Sequence, residues 1–213
     1  GCSVRCDLMF MGTCQTTMAT EPPASGANSQ DEDSHQTRTE VPRMVVFDLD
    51  ACCWYPEMYM ISGGSPFKET GDPNALLTAG GRTLRLMGNV LDVWRRLHSD
   101  PKYSDTKVGV ASRCDEPRWA RECLKKFCVE DGVSMWDVAE GGRLVEIYKG
   151  SKQSHFRQLK QKTAVAFQDM LFFDDDPWNI SQVSQLGVTC ILTPDGVTED
   201  AWRKGLQQYA ARR

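Results

Sequence analysis

Long apolar runs are missing from this chain of 213 residues. A helix that crosses a bilayer needs about 20 consecutive apolar residues, and no stretch of the sequence approaches that length. Basic residues are not in excess either, since 25 lysines and arginines stand against 29 aspartates and glutamates, for a net charge of −4. Strong binding to nucleic-acid phosphates requires a basic surface. We therefore expect neither a transmembrane segment nor a nucleic-acid partner.

Cysteine motifs that bind zinc are also missing. The nine cysteines form no CxxC pair, and no set of histidines stands near them at ligand spacing. Several cysteines lie in apolar stretches, where a free thiol packs as a small hydrophobic group. We interpret this usage as typical of a reducing compartment, predict a cytoplasmic location and expect no disulfides.

The chain divides into a polar beginning and a longer remainder. Between Thr20 and Pro42 the sequence is rich in Ser, Thr, Glu, Asp and Pro and has few large apolar side chains. Such a segment cannot bury enough surface to offset the entropy lost on ordering. We predict a disordered tail over residues 1–42 and one domain over residues 43–213, which we expect to be a monomer.

Short apolar runs alternate with helical patterns along the domain. The runs that predict buried strands are residues 44–47, 107–111, 145–148, 170–173 and 188–192. Apolar residues recur at helical spacing from Val90, from Trp119, from Phe156 and from Ile180. This alternation predicts an α/β fold, a Rossmann-like parallel sheet with helices on both faces. Residues 55–82, rich in Gly and Pro, predict a long loop or small hairpin inserted after the first strand.

Polar side chains follow the predicted strands at the points where the strands end, and one lysine opens a helix. These groups are Asp48 and Asp50, Ser112 and Arg113, Lys152, and the run from Asp174 to Asp176. In parallel sheets, ligands bind beyond the carboxyl ends of the strands. We therefore expect these side chains to converge on one edge of the sheet.

The chemistry of this set favours phosphoryl transfer. Carboxylates that lie close together repel one another unless a cation holds them, and hard oxygen ligands suit Mg²⁺. Asp48 can attack phosphorus to form an acyl-phosphate. Lys152 would offset the phosphate charge, and Ser112 would add a hydrogen bond. Asp50 is placed to protonate the leaving oxygen and later to deprotonate the hydrolytic water.

Simpler interpretations exist for each residue taken alone. An aspartate after a strand is often a turn former or helix cap, which applies to Asp48, Asp50 and the run from Asp174. Lys152 alone would be a solvated surface charge. Two interpretations of Arg113 stay open, a phosphate contact and a surface pair with Asp115 or Glu116. The order and context of all the groups together favour the functional interpretation.

Aromatic residues of the insertion and of the strand ends form a further candidate set. An apolar wall for an aromatic or sugar substrate is one interpretation, and burial in the core is the other, which we favour for Trp54. The set comprises Trp54, Tyr55, Tyr59, Phe67 and Trp178.

The same residues resemble the four motifs of the haloacid dehalogenase superfamily. Asp48-Leu49-Asp50 resembles its first motif, Ser112 its second, Lys152 its third and Asp174-Asp175 its fourth. The local sequence around these positions, over about residues 44–195, is similar to the magnesium-dependent phosphatase family. One departure is Cys52, which stands where the superfamily usually has Thr or Val.

The resemblance implies a haloacid dehalogenase-like fold with a minimal cap at residues 55–82 and a phosphatase activity. It implies that Asp48 is nucleophile and Mg²⁺ ligand, and that Asp50 is general acid/base and metal ligand through its carbonyl. Asp174 and Asp175 would complete the metal site, and Ser112 and Lys152 would bind the phosphoryl group. The implied substrates are phosphate monoesters, either small and sugar-like or phosphotyrosine-like on a protein.

Two other functions remain as alternatives to the phosphatase. One is a sibling hydrolase, but a dehalogenase does not need the acidic cluster at Asp174, and the cap lysine of a phosphonatase has only Lys68 as a candidate in residues 55–82. The other is a catalytically silent module that binds phosphate and metal. The full set of motif residues argues against the silent module.

Overall fold

The computed structural model describes residues 41–212. In chain order, the strands are β1 (Met44–Phe47), β2 (Trp54–Tyr55), β3 (Lys68–Glu69), β4 (Ala75–Leu77), β5 (Thr83–Leu86), β6 (Lys107–Ser112), β7 (Cys128–Glu130), β8 (Val133–Ser134), β9 (Val145–Ile147), β10 (Met170–Asp174) and β11 (Thr189–Leu192). The helices are α1 (Val90–Ser99), α2 (Pro117–Lys126), α3 (Met135–Val138), α4 (Lys152–Thr163), α5 (Pro177–Ser184) and α6 (Glu199–Ala211). No helix within residues 41–212 is both long and apolar enough to cross a membrane.

The predicted tail, residues 1–42, lies outside the described part of the chain except for its last two residues. Val41 packs against the core, and the carbonyl of Pro42 accepts a hydrogen bond from Thr106 Oγ1 at 2.7 Å. The six cysteines within residues 41–212 are all free, and four of them are buried.

A five-stranded parallel sheet forms the centre of the domain, in the order β11-β10-β1-β6-β9. Met44 in β1 is paired with Met170 of β10 on one side and with Lys107 of β6 on the other. Parallel strands need a crossover between them, and the helices supply it. The predicted α/β fold is confirmed by this order.

Both faces of the sheet are covered, as the continuous apolar strands predict. Side chains of β1 alternate between two apolar clusters, because successive residues of a strand point to opposite faces. Val45 and Phe47 pack with residues of α1, α2 and α6, whereas Met44 and Val46 pack with residues of α4 and α5. The sheet is therefore packed on both faces, and this packing sets the positions of the residues at its carboxyl edge.

The segment between β1 and α1, called the insertion from here on, contains a second sheet, antiparallel and in the order β2-β5-β4-β3. The sequence predicts only a loop or small hairpin here, because strands of two to four residues are too short to show an alternating pattern. Glu122 of α2 ties this insertion to the core. Its carboxylate accepts hydrogen bonds from Ser65 Oγ at 2.6 Å and from the backbone N–H of Phe67 at 2.8 Å.

Helix α6 and the β7-β8 hairpin lie outside the sequence prediction. Helix α6 begins with a cap, since Thr198 Oγ1 accepts a hydrogen bond from the N–H of Ala201. Its Trp202 is 2% exposed and packs its ring against Phe173 of β10, at a centroid distance of 5.9 Å. This contact places α6 on the same face of the sheet as α1.

The burial of Trp202 predicts a large loss of stability for Trp202→Ala. Removal of a large buried aromatic side chain leaves a cavity, and we expect a decrease of about 3–5 kcal/mol in the free energy of unfolding. Lys204→Ala, on the exposed side of the same helix, should change it by less than about 0.5 kcal/mol. Urea denaturation followed by circular dichroism measures both values. Equal stability of the two variants would show that α6 is not part of the folded core.

Candidate functional site

Three neighbouring strands of the sheet end in polar residues. Asp48 follows β1, Ser112 is the last residue of β6, and Asp174 is the last residue of β10. The backbone N–H of Asp48 still donates to the carbonyl of Phe173, at 3.0 Å, so the chain stays paired up to the carboxylate. Because β1 lies between β6 and β10, the three side chains meet at one edge, as predicted.

Lys152 lies at the centre of this edge. It is 2% exposed, so the interpretation as a solvated surface charge is wrong. Its Nζ forms ion pairs with Asp48 Oδ1 and, at 2.9 Å, with Asp174 Oδ2, and it donates to the carbonyl of Ala111 at 2.6 Å. Lys152 is the first residue of α4, and Ser151 caps that helix by accepting a hydrogen bond from Ser154 N. The cap fixes where the lysine enters the site.

Three carboxylates surround the same point. One oxygen from each of Asp48, Asp174 and Asp175 lies within 4.8 Å of the other two. Asn179, on α5, donates from Nδ2 to both oxygens of Asp174, at 3.0 and 3.2 Å. The backbone N–H of Asp176 also donates to Asp174, at 2.8 Å. These donors hold the orientation of Asp174.

The helix-cap interpretation applies to Asp176 only. Its Oδ1 accepts a hydrogen bond from the backbone N–H of Trp178 at 2.8 Å, which caps α5. Asp174 and Asp175 instead belong to the carboxylate group around Lys152. The acidic run therefore divides into two residues of the carboxylate group and one residue that caps the helix.

Burial makes the negative charges of this group unfavourable. It raises the pKa of Asp48 to about 7, with a further upward effect from Asp174 that Lys152 opposes. Burial and the neighbouring Asp174 likewise raise the pKa of Asp175 to about 6. Burial lowers the pKa of Lys152, but the two carboxylates at its Nζ outweigh this effect and raise it above its ordinary value.

The charges of the cluster do not balance. Three carboxylates face one ammonium group, so the fully ionised cluster has two negative charges in excess. A divalent cation would neutralise this excess, and clustered carboxylate oxygens are the hard ligands that Mg²⁺ prefers. The donor set contains no sulfur or imidazole, which argues against zinc. The residues present therefore fit Mg²⁺.

Asp50 lies beside the cluster, at the base of the insertion. Its Oδ1 accepts hydrogen bonds from Trp54 Nε1 at 2.7 Å and from the backbone N–H of Met58 at 3.2 Å. Burial raises the pKa of Asp50, and the hydrogen bond from Trp54 opposes this. A carboxyl group with a raised pKa keeps its proton to higher pH than a free aspartate does, which suits a proton donor.

A cleft of about 420 Å³ opens above these groups. Asp48, Asp50, Ser112, Arg113 and Lys152 all line it, together with Asp175. The pairing of Arg113 with Asp115 is not seen, because Asp115 forms its ion pair with Lys149 at 2.7 Å. Within residues 41–212, no carboxylate lies within salt-bridge distance of Arg113, which lines the cleft.

Two residues without a role predicted from the sequence, Asn179 and Glu57, also line the cleft. Asn179 stands five residues after Asp174, on the first turns of the helix that follows β10, and this spacing is a signal that could have identified it. Glu57 comes from the insertion, and the negative charge of Asp50 adds to the burial that raises its pKa. No local pattern marks a residue of such an irregular segment.

The aromatic set divides by burial. Trp54 and Phe67 are in the core, at 0% and 1% exposure. Tyr59 lines the cleft and is 63% exposed, whereas Tyr55 and Trp178 are exposed without lining it. One aromatic ring, at the rim, therefore remains available for a substrate.

Comparison with known proteins gives three findings. The Acid Phosphatase family matches residues 40–212. Magnesium-dependent phosphatase 1 of Homo sapiens is 35% identical over 170 residues, which cover 80% of this chain and 88% of the human protein. The HAD-like hydrolase superfamily protein P8B7.31 of Schizosaccharomyces pombe is 30% identical over 151 residues, 70% of this chain and 84% of the yeast protein.

The solved structures that the fold resembles include a more distant one. It is the N-terminal part of the Bacteroides fragilis protein BF1531, which contains a phosphatase domain and was crystallised with Mg. The match covers 80% of this chain and 40% of the other, with a TM-score of 0.49 and 16% identity. A likeness this distant has no weight for the function.

Metal binding and protonation should compete at this site. Since burial raises the pKa of Asp48 to about 7 and of Asp175 to about 6, the metal-free fold is destabilised most above pH 7. Protons relieve that repulsion as the pH falls from 7 toward 4, and Mg²⁺ relieves it at high pH. At a fixed Mg²⁺ concentration we expect a larger increase of Tm at pH 8 than at pH 5.5.

Differential scanning fluorimetry with Mg²⁺ or EDTA measures this increase. Asp175→Asn should raise the Tm of the metal-free protein at pH 8 and reduce the response to Mg²⁺. Asp105→Asn, at an exposed position before β6, serves as the matched control and should respond as the wild type does. A Tm increase that is the same at both pH values would contradict the competition.

Proposed function

The chain belongs to the Acid Phosphatase family and is a magnesium-dependent phosphatase of the haloacid dehalogenase type, and from this premise we propose that it hydrolyses phosphate monoesters through an aspartyl-phosphate on Asp48. The observation that carries the proposal is the position of Asp48. It directly follows a buried, paired strand and lies beside Lys152 and two further carboxylates, at the floor of an open cleft.

The first half of the proposed reaction transfers the phosphoryl group to the protein. A carboxylate oxygen of Asp48 forms a bond to phosphorus while the bond from phosphorus to the leaving oxygen breaks. Lys152, Ser112 and Arg113 line the cleft, where Lys152 and Arg113 would offset the charge of the phosphoryl oxygens and Ser112 would donate a hydrogen bond to them. Asp50 gives its proton to the leaving oxygen, and the alcohol departs through the cleft.

The second half restores the protein. Asp50, now ionised, takes a proton from a water molecule while the water oxygen attacks phosphorus. The bond between Asp48 and phosphorus breaks, and inorganic phosphate leaves. Asp48, Asp174 and Asp175, with the carbonyl of Asp50 as the sequence predicts, are proposed to hold Mg²⁺, which supplies positive charge next to the phosphoryl oxygens.

The shape of the cleft supports a substrate whose phosphate group protrudes from the rest of the molecule. Its volume of about 420 Å³ fits a phosphoryl group and a small alcohol, and its opening leaves room for the rest of a larger molecule. Tyr59 and Arg113 at the rim suit an aryl or sugar group. We propose small phosphorylated molecules, or a phosphotyrosine-like side chain on a protein, as substrates.

Asp48→Asn should abolish turnover of 4-nitrophenyl phosphate, by about 10³-fold or more in kcat, because the amide is a poor nucleophile. EDTA should abolish the wild-type activity, and Mg²⁺ should restore it. Asp105→Asn is the matched control. It removes an exposed carboxylate before the start of β6, at the opposite end of that strand from Ser112, and should keep full activity. Full activity of Asp48→Asn would disprove the proposed nucleophile.

The silent-module alternative is tested with the same preparation. We expect the wild type to release phosphate from members of a panel of phosphorylated metabolites and phosphotyrosine peptides, in the presence of Mg²⁺ and not of EDTA. A chain that binds Mg²⁺ and vanadate yet releases no phosphate from any of them would favour the silent module.

A further inference from the structure

We infer that the insertion fixes which oxygen of Asp50 carries the transferable proton, with Trp54 as the positioning residue that does so. This inference rests on the proposed function, in which Asp50 is the general acid and base. It concerns a residue that packs in the core by its ring and reaches the site by its indole nitrogen.

Two donors converge on a single oxygen of Asp50. Trp54 Nε1 lies 2.7 Å and the backbone nitrogen of Met58 lies 3.2 Å from Oδ1. An indole N–H and a backbone N–H can only donate hydrogen bonds. A proton on Oδ1 would face both of these N–H groups, so the proton of a neutral Asp50 belongs on Oδ2.

This arrangement leaves one oxygen for proton transfer in both halves of the reaction. In the first half, the O–H bond at Oδ2 breaks and the proton joins the leaving oxygen. In the second half, Oδ2 takes a proton from water, and the original state returns. Oδ1 keeps its two hydrogen bonds throughout, so the carboxyl group does not need to rotate between the steps.

The indole group is held firmly enough to perform this role. Trp54 is 0% exposed, and its ring stacks on Phe127 at a centroid distance of 6.1 Å. Its backbone N–H donates to the carbonyl of Leu49 at 3.1 Å, and β2 pairs it with Leu86 of β5. The hydrogen bonds of Glu122 with Ser65 and Phe67 fix the middle of the insertion to α2.

A third group near Asp50, the thiol of Cys114, does not determine which oxygen carries the proton. The thiol of Cys114 contacts the carboxyl group, but a thiol is a weak donor that also accepts. It rotates freely about its Cβ–Sγ bond and adapts to either protonation state. The two N–H groups of the insertion therefore determine which oxygen of Asp50 carries the proton.

The test uses Trp54→Phe in the full chain with Mg²⁺. Phenylalanine keeps an aromatic ring in the core and removes the N–H. The matched control is Trp94→Phe, because Trp94 is also 0% exposed in the same cluster and its Nε1 has no hydrogen-bond partner within residues 41–212. The substrates are 4-nitrophenyl phosphate, whose leaving group departs without a proton, and benzyl phosphate, whose leaving group needs one.

We expect Trp54→Phe to lower kcat/KM for benzyl phosphate about tenfold more than for 4-nitrophenyl phosphate, the effect of one lost hydrogen bond on proton transfer. Trp94→Phe should leave the ratio of the two kcat/KM values at that of the wild type. A merely structural role of Trp54 would lower both values equally. An unchanged ratio in Trp54→Phe, or an equal change in Trp94→Phe, overturns the inference and leaves the phosphatase standing.

A second measurement applies even where Trp54→Phe does not fold. The indole N–H resonance of Trp54 in the proton NMR spectrum should lie downfield in the wild type and move upfield in Asp50→Ala, because its acceptor is gone. A resonance that does not move overturns the inference. Failure of the wild type to turn over either phosphate would instead remove the proposed function itself, so the two failures are distinguishable.

Discussion

A charge imbalance at the carboxyl edge of the sheet is the constraint that the rest of the site has to satisfy. Asp48, Asp174 and Asp175 surround one buried lysine, and Asp48 and Asp174 are themselves buried. Burial, with a further contribution from the charge of Asp174, raises the pKa of Asp48 and of Asp175. A fold keeps such a group only if the surrounding packing holds it, and here three strands and the caps of two helices do so. In the proposed function, a divalent cation neutralises the excess negative charge and the group then binds a phosphate.

The two sides of the proposed chemistry come from different parts of the chain. The sheet and the helices that follow it carry the proposed nucleophile, the lysine and the proposed metal ligands. The insertion contacts the proposed proton donor, since Trp54 and Met58 both donate hydrogen bonds to Asp50. Asp50 stands two residues after Asp48, where the chain leaves the sheet for the insertion. One short turn therefore couples the charge-neutralising half of the site to the proton-transferring half.

Much of the fold and of the site could be predicted because the signals are local and strong. Apolar runs such as Met44–Phe47 predict strands buried on both faces, and a polar residue directly after such a run lies at the sheet edge. The sequence does not predict α6, because its fully buried residues are only Trp202, Gly205 and Tyr209 and show a weak helical pattern. The small antiparallel sheet was missed because its strands are held by long-range pairing rather than by an alternating pattern.

The site shows the same limit. Lys152 could be assigned by its place in the order of motifs, although nothing local distinguishes it from a surface lysine. The second role of Trp54 could not be predicted, because a buried tryptophan and a tryptophan that donates to a carboxylate have the same sequence pattern. Only the position of its indole nitrogen, set by the packing of its ring on Phe127, distinguishes the two.

The proposed arrangement of metal and nucleophile is best tested by a crystal structure of the protein with Mg²⁺ and beryllium fluoride, a mimic of a phosphoryl group. We expect one Mg²⁺ at about 2.1 Å from oxygens of Asp48 and of the Asp174-Asp175 pair, with beryllium bonded to the other oxygen of Asp48 and Lys152 in contact with its fluorides. A metal bound elsewhere, or beryllium fluoride that leaves Asp48 unmodified while this cluster stays without a cation, would contradict it.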